Sequence, residues 1–314
     1  GSSGSDSGRR APDPNPRHRG AGATRSPWYP EAMPTPTPHA PPAPADGPAL
    51  DRVAVLERTI GASLERIWEN VLDWEHLPWL HRDSFASIDL EEAGDWGWRA
   101  RAASTSRPDE SFVVEVRIEP EVRRYVSRTV AGAGAGTEIR TFLEPLSHDA
   151  TAIRVEFWVP GIPEAAREKV GAGYLRLYRK LWDEDESMMR ERGARLVERA
   201  RGARPEVPRV AELGAREDLL RRLPTCVELG GARWRLVDVG GEILVHDARC
   251  PHLFGPLEEG PEAGVPEGEV RCPWHGYRFD VRTGGSSDGR RLRLRTPPRV
   301  EHDPVEDALR LVLD

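Results

Sequence analysis

The chain is expected to be an α+β protein with two folded parts: an antiparallel sheet held around a long C-terminal helix, then an all-β domain. Three observations carry this expectation. Apolar and polar residues alternate in six successive stretches between residues 85 and 159, the period of half-buried strands. A Pro160-Gly161-Ile162-Pro163 stop then opens a helical stretch that runs to about Ala200. Beyond residue 225, short alternating stretches surround Gly230-Gly231 and Gly240-Gly241, which read as hairpin turns.

In chain order, residues 1–50 hold twelve of the 29 prolines with little apolar periodicity. Such a segment buries too little surface to offset its ordering entropy, so disorder is expected there. Residues 51–201 form the first domain. Val53, Val55 and Leu56 begin a strand, and Ser63 through Ile67, Trp68 and Val71 read as a helix. The strands expected next are Phe85–Leu90, Trp96–Ala100, Phe112–Ile118, Val122–Val130, Ile139–Leu143 and Ile153–Val159, before the long helix. Residues 202–217, bearing Pro and Arg, are expected to be a linker. The second domain, residues 218–314, has strands at Cys226–Leu229, Trp234–Val239 and Ile243–His246, and a tail through Leu292, Leu294, Val300 and Leu309–Leu313 that reads as closing strands. His246 and His148 read as surface residues.

Composition excludes several classes. With 314 residues and 38% hydrophobic content there is material for two cores. A net charge of −7 leaves no basic footprint for nucleic acid. Three cysteines cannot make a disulfide framework, and Cys226 stands apart from the other two. No stretch approaches the ~20 apolar residues of a membrane span, and no charged-then-apolar signal region opens the chain. A cytoplasmic protein is expected.

The chemistry is concentrated in two loops, Cys250-Pro251-His252 and Cys272-Pro273-Trp274-His275-Gly276. Each offers one thiolate and one imidazole. Structural zinc sites usually group like ligands, although the four side chains alone still admit a zinc knuckle. A [2Fe–2S] cluster with two cysteines on one iron and two histidines on the other needs two such mixed loops. Over roughly residues 222–314 the sequence resembles the Rieske family, on Cys250-x-His252 and Cys272-x-x-His275-Gly276 with Pro273 and Phe279-Asp280. The resemblance implies a [2Fe–2S] cluster held by Cys250, His252, Cys272 and His275. The cluster loops lack the extra cysteines of the high-potential respiratory class.

The first domain resembles the START-like, helix-grip superfamily over residues 51–201, on its order of elements and on the Trp74 to Leu80 region. That resemblance implies a cavity between sheet and helix. Seven of the ten tryptophans (Trp68, Trp74, Trp79, Trp96, Trp98, Trp158 and Trp182) fall here. They fit either the lining of an apolar cavity or ordinary core packing.

Within it, Asp73, His76 and His81 form a second candidate centre. On one continuous helix His81 would point about 140° away from His76. Pro78 disfavours helix at Leu77 and can start a new short helix, re-aiming His81. Asp73, three residues before His76, shares that histidine's face and is in reach of its ring. On the long helix Val170, Tyr174, Leu177, Tyr178, Leu181 and Met188 form one apolar stripe, and Asp185 lies about 40° from its centre. A carboxylate there is costly to bury unless it meets a cation, although the acidic run Asp183–Glu186 would by default be a solvated face. Two histidines and one carboxylate are the set a dioxygen-activating mononuclear iron uses.

These residues resemble the catalytic domain of Rieske non-haem iron oxygenases, whose motif reads Asp-x-x-His-x-x-x-x-His with a later Asp on the C-terminal helix. In that family the Rieske domain comes first; here it comes second. The resemblance implies Fe(II) on His76, His81 and Asp185, with Asp73 as the electron bridge to a cluster histidine of a neighbouring subunit, hence a homotrimer. It also implies a hydrophobic small-molecule substrate, dioxygen, and electrons from NAD(P)H through a separate reductase or ferredoxin. The Ala131–Gly136 run lies between strands and is no nucleotide-binding loop. The other function the sequence admits is non-catalytic: an apolar-ligand-binding START-like domain fused to a Rieske electron carrier.

Overall fold

The computed structural model describes residues 49–201, 208–258 and 265–313. The disorder expected for residues 1–50 therefore falls almost wholly outside the described residues. The first part runs β1 (Leu50–Ile60), α1 (Leu64–Leu72), α2 (Leu77–Leu80), β2 (Phe85–Gly94), β3 (Gly97–Ser104), β4 (Arg107–Glu119), β5 (Arg124–Gly132), β6 (Glu138–Pro145), β7 (Thr151–Pro160) and α3 (Glu164–Ala200). The six alternating stretches are the six strands β2–β7, and they pair as a meander. The α1–α2 excursion carries the chain from β1 to the opposite edge, so the order is β1-β7-β6-β5-β4-β3-β2 with every neighbour antiparallel. A seven-stranded antiparallel sheet closed on one long helix is a helix-grip arrangement.

The alternation buries one face. Leu56, Ile60, Val155 and Phe157 from β1 and β7 pack with Ile67 and Trp68 of α1 and Trp182 and Met189 of α3. The 37-residue α3 is about 55 Å long, so it passes under the sheet and projects beyond it. Its closest approach to β1 is at Gly171, where an added Cβ would lie 2.3 Å from the Val53 carbonyl oxygen, beside an irregularity in the β1–β7 register between Arg52 and Ala54. Gly171→Ala is expected to cost about 1–3 kcal/mol by forcing helix and strand apart. Thermal denaturation checks this, with Gly173→Ala, which meets nothing within 4 Å, as the neutral comparison.

The second part comprises β8 (Val210–Ala215), α4 (Arg216–Arg222), β9 (Thr225–Leu229), β10 (Ala232–Val239), β11 (Glu242–Asp247), β12 (Glu269–Arg271), β13 (Arg278–Asp280), β14 (Arg299–Asp303) and β15 (Ala308–Val312). These form three small antiparallel sheets, β11-β10-β9, β12-β13 and β14-β15-β8. Residues 210–215, expected within a linker, are instead a strand that pairs β15 from Val210↔Val312 to Ala215↔Ala308. Leu213 of that strand joins Leu219, Leu229, Trp234, Leu236, Leu309 and Leu311 in the core. Leu292 and Leu294 precede the closing strands rather than forming one. His246 is buried, 2% exposed, with its ring Nδ1 2.9 Å from the Asp247 carbonyl oxygen; β11 turns it inward, contrary to its reading as a surface residue. No helix among the described residues is long and apolar enough to cross a membrane.

Candidate metal centres and the contact between them

Two hairpin-like loops bring the four cluster residues together. The first loop is closed by Cys250 N–H donating to the Gly255 carbonyl at 2.8 Å, the second by Cys272 N–H donating to the Tyr277 carbonyl at 2.8 Å. Gly276, at φ +68°, makes the turn that returns the second loop. Cys250 and Cys272 are each 1% exposed, and the rings of His252 and His275 lie 4.6 Å apart. Both Nδ1 atoms are buried without a hydrogen-bond partner. An orphaned imidazole nitrogen on each loop, beside two buried thiols, is the donor set a [2Fe–2S] cluster requires, and it fits. Gly255 keeps the space open, since a Cβ there would stand 2.7 Å from Cys272 Sγ. Burial and the neighbouring His275 hold His252 down at about 4. Burial also lowers His275, but the hydrogen bond to Asp73 and the negative charge of its neighbours outweigh it and raise it to about 9.

The second centre forms where α1 ends. Ser63 caps α1 by accepting from Arg66 N–H, and the helix stops at Asp73. Pro78 lies in the first turn of α2, whose N-cap is His76 and whose C-cap is His81, so the proline break does turn the second histidine back. Across the cavity, α3 presents Asp185. Ligand atoms of His76, His81 and Asp185 all lie within 4.8 Å of one another. Asp185 Oδ1 is 3.4 Å from His76 Nε2 and 3.1 Å from His81 Nε2. The histidines are 4% and 1% exposed. Burial raises the Asp185 pKa, but the two imidazoles more than reverse this and hold the carboxyl well below the usual range. The set is compact enough to share one cation, with one face toward the cavity.

Two residues that the sequence reading passed over hold this arrangement. Asn70 Nδ2 donates to Asp185 Oδ1 at 3.0 Å. Glu184, within the acidic run read by default as a solvated face, accepts from His81 Nδ1 at 2.7 Å, which leaves Nε2 for Asp185 and a metal. The remaining members of the acidic run do point away: Asp183 and Glu186 pair with Arg58 at 2.7 and 2.6 Å.

Asp73 joins the two centres. The resemblance implied a bridge to a cluster histidine of a neighbouring subunit; Asp73 Oδ2 accepts from His275 Nε2 of its own chain at 2.6 Å and lies 3.8 Å from His76 Nδ1. The His76 and His275 rings are 6.4 Å apart. This bridge runs within one chain. Around it, Glu75 accepts from the Tyr277 hydroxyl and pairs with Arg290 at 3.2 Å, while Leu80 and Met188 pack into the same apolar cluster as Cys250, Cys272 and Trp274.

A cavity of about 510 Å³ opens from His76, His81 and Asp185 between the sheet and α3. Its walls include Trp98, Val114, Val116, Ile139, Tyr178 and Leu181, with hydroxyls from Ser127 and Thr129. Of the seven tryptophans only Trp98 and Trp182 line it. Trp68 is core, Trp96 and Trp158 lie under Arg117 and Arg140, and Trp79 lies against Gly276. A larger depression of about 900 Å³, bounded by Arg58, Arg123 and Arg154, contains none of the metal-ligand candidates.

Comparison with known proteins places part of this architecture. Residues 209–298 match the family described as Rieske [2Fe-2S] domain. Apoptosis-inducing factor 3 of Mus musculus and of Homo sapiens is each 42% identical over 62 residues, 20% of this chain and 10% of that protein. The match thus spans about a tenth of the length of these relatives. Among solved structures, a START superfamily protein from Mycobacterium smegmatis aligns with TM-score 0.37 and 19% identity, over 44% of this chain and 97% of that one. The ferredoxin of carbazole 1,9a-dioxygenase from Nocardioides aromaticivorans aligns with TM-score 0.27 and 27% identity, over 34% and 98%. With its paired thiols and orphaned imidazole nitrogens, the part of this chain over residues 209–298 is a Rieske [2Fe–2S] domain, carried behind an antiparallel sheet closed on a long helix.

Proposed function

We propose that this protein is a Rieske-type oxygenase that oxidises an apolar small molecule with dioxygen. The observation that carries the reading is the convergence of His76, His81 and Asp185 at the wall of a largely apolar cavity, one carboxylate away from a cluster histidine. A mononuclear iron on that triad would supply activation of dioxygen, with positions left open for oxygen and substrate. The chain's own residues do the rest. Asn70 and Glu184 hold the carboxylate and imidazole in their ligating orientations. The walls around Trp98, Val116 and Leu181 desolvate an apolar substrate beside the triad. Asp73 links the cluster side to the iron side. Electrons come from NAD(P)H through a separate reductase or ferredoxin.

The reading of a START-like ligand binder fused to a free Rieske electron carrier fares worse on one point. A carrier needs its histidine edge open to partners, whereas one of the two histidines of that edge, His275, is 3% exposed and engaged by Asp73. Metal analysis of anaerobically purified, iron-reconstituted protein tests the proposal. About three irons per chain are expected, two in the cluster and one on the triad, falling to about two in His76→Ala with the cluster's visible spectrum unchanged. Two irons in both proteins would sink it.

A further inference from the structure

We propose that electron transfer between the two centres is closed within a single chain, so that one copy is a complete redox unit and no trimer is needed to bring cluster and iron together. The inference rests on the oxygenase reading for the iron end of the path, and on the geometry alone for the cluster end. Three observations carry it.

The carboxylate that contacts the cluster histidine belongs to the same chain. Asp73 Oδ2 accepts from His275 Nε2 at 2.6 Å and lies 3.8 Å from His76 Nδ1. One carboxylate therefore separates the two imidazoles.

The contact is also closed to a second copy. The His275 side chain is 1% exposed and that of Asp73 14%. A Cβ on Gly276 would lie 2.1 Å from the Trp79 ring, so the turn of the cluster loop is seated directly on α2. Tyr277 and Arg290 close over Glu75, with the Arg290 guanidinium 3.9 Å from the centre of the Tyr277 ring. A neighbour's carboxylate could reach His275 only after this face had come apart.

The order of the domains gives the arrangement a physical cause. The helix that supplies Asp185 continues past the sheet, and its next turns are the floor of the cluster loops. Met188 joins the core that holds Cys250 and Cys272, Glu191 pairs with Arg249 at 3.0 Å, and Arg192 lies 5.6 Å from the Phe254 ring centre. A Rieske domain that follows α3 is thus seated against the histidine pair its own helix faces.

The transfer step balances simply. With both groups bound, one electron would leave a cluster held by Cys250, His252, Cys272 and His275, and one would be taken up by a ferric iron held by His76, His81 and Asp185. No bond would be made or broken in that transfer, and the electron would be replaced by the separate reductase.

The test uses two disabled full-length chains. His76→Ala keeps the cluster and lacks the triad; Cys272→Ser keeps the triad and lacks the cluster. After anaerobic reduction the wild-type cluster is mixed with oxygenated buffer, and reoxidation is followed by its visible absorption. The expected result is a first-order rate unchanged over a hundredfold dilution into the range where sedimentation reports a monomer. Mixing the two disabled chains is expected to leave the His76→Ala cluster at its slow, iron-free rate. Rescue in the mixture, or a wild-type rate that falls on dilution, overturns the proposal.

A second readout does not depend on the iron. Asp73→Asn removes a negative charge from the cluster histidine and is expected to raise the cluster's midpoint potential in the monomeric protein, with or without iron. No shift, or a shift seen only in associated protein, overturns the intrachain contact. Equal wild-type reoxidation rates with and without iron, together with a shifted potential, would instead reject the oxygenase reading and leave the intrachain contact standing.

Discussion

Replacing Asp185 by alanine is expected to empty the mononuclear site, taking iron from about three to about two per chain, and to abolish substrate- and reductant-dependent oxygen uptake while the cluster's spectrum persists. Asp185 supplies the carboxylate of the triad, and its Oδ1 is the atom to which Asn70 Nδ2, His76 Nε2 and His81 Nε2 all point. Alanine leaves two imidazoles with no anionic ligand, and leaves the Asn70 amide without an acceptor. The stranded amide should cost about 1–3 kcal/mol, readable in apoprotein melting. The iron loss is separate from that cost, so Asp185→Asn, which returns an oxygen to the same place, is expected to recover much of the stability and only part of the iron. Oxygen uptake by Asp185→Ala at the wild-type rate would reject the ligand assignment.

Removal of the Asp73 carboxylate is expected to have the next largest effect: Asp73→Ala should slow oxygen-driven reoxidation of the reduced cluster roughly 10–100-fold with both metal centres filled. Burial raises the Asp73 pKa, but the His275 hydrogen bond and the surrounding imidazoles reverse this and hold it below its ordinary value. The anion therefore persists as a fixed acceptor that sets the His275 ring at 2.6 Å. Alanine removes the group between the two rings and frees His275 to turn. Asparagine keeps an oxygen that can accept from Nε2, so Asp73→Asn should fall between wild type and alanine. Stopped-flow absorption on iron-replete protein measures the order of the three. Identical rates would mean that the electron does not use this route.

The candidate cluster residues were legible because two unlike ligand types recur at short spacing on two loops, a pattern a packed core has no use for. The iron candidates were legible through local physics. Pro78 must break the helix between His76 and His81, and Asp185 is too costly on an apolar stripe to be idle. The roles of Asn70 and Glu184 were not legible, because each depends on a partner 115 and 103 residues away. Strand β8 was missed for the same reason. Its alternation lasts only six residues beside Pro205 and Pro208, and the strand it pairs with is β15, near the far end of the chain.

The sequence by itself thus determined the elements and the chemical inventory: a six-strand meander, a long helix, two thiols and two imidazoles on paired loops, and two further histidines with one carboxylate. Periodicity, proline breaks and ligand chemistry are short-range properties, written within a turn or a loop. Only the tertiary structure decided what those groups face. It gave Asp73 a cluster histidine of its own chain, His275, 202 residues on, seated Gly276 on Trp79, and brought both centres together in one chain. Such choices depend on how one folded surface docks on another, and no local pattern along the chain encodes that.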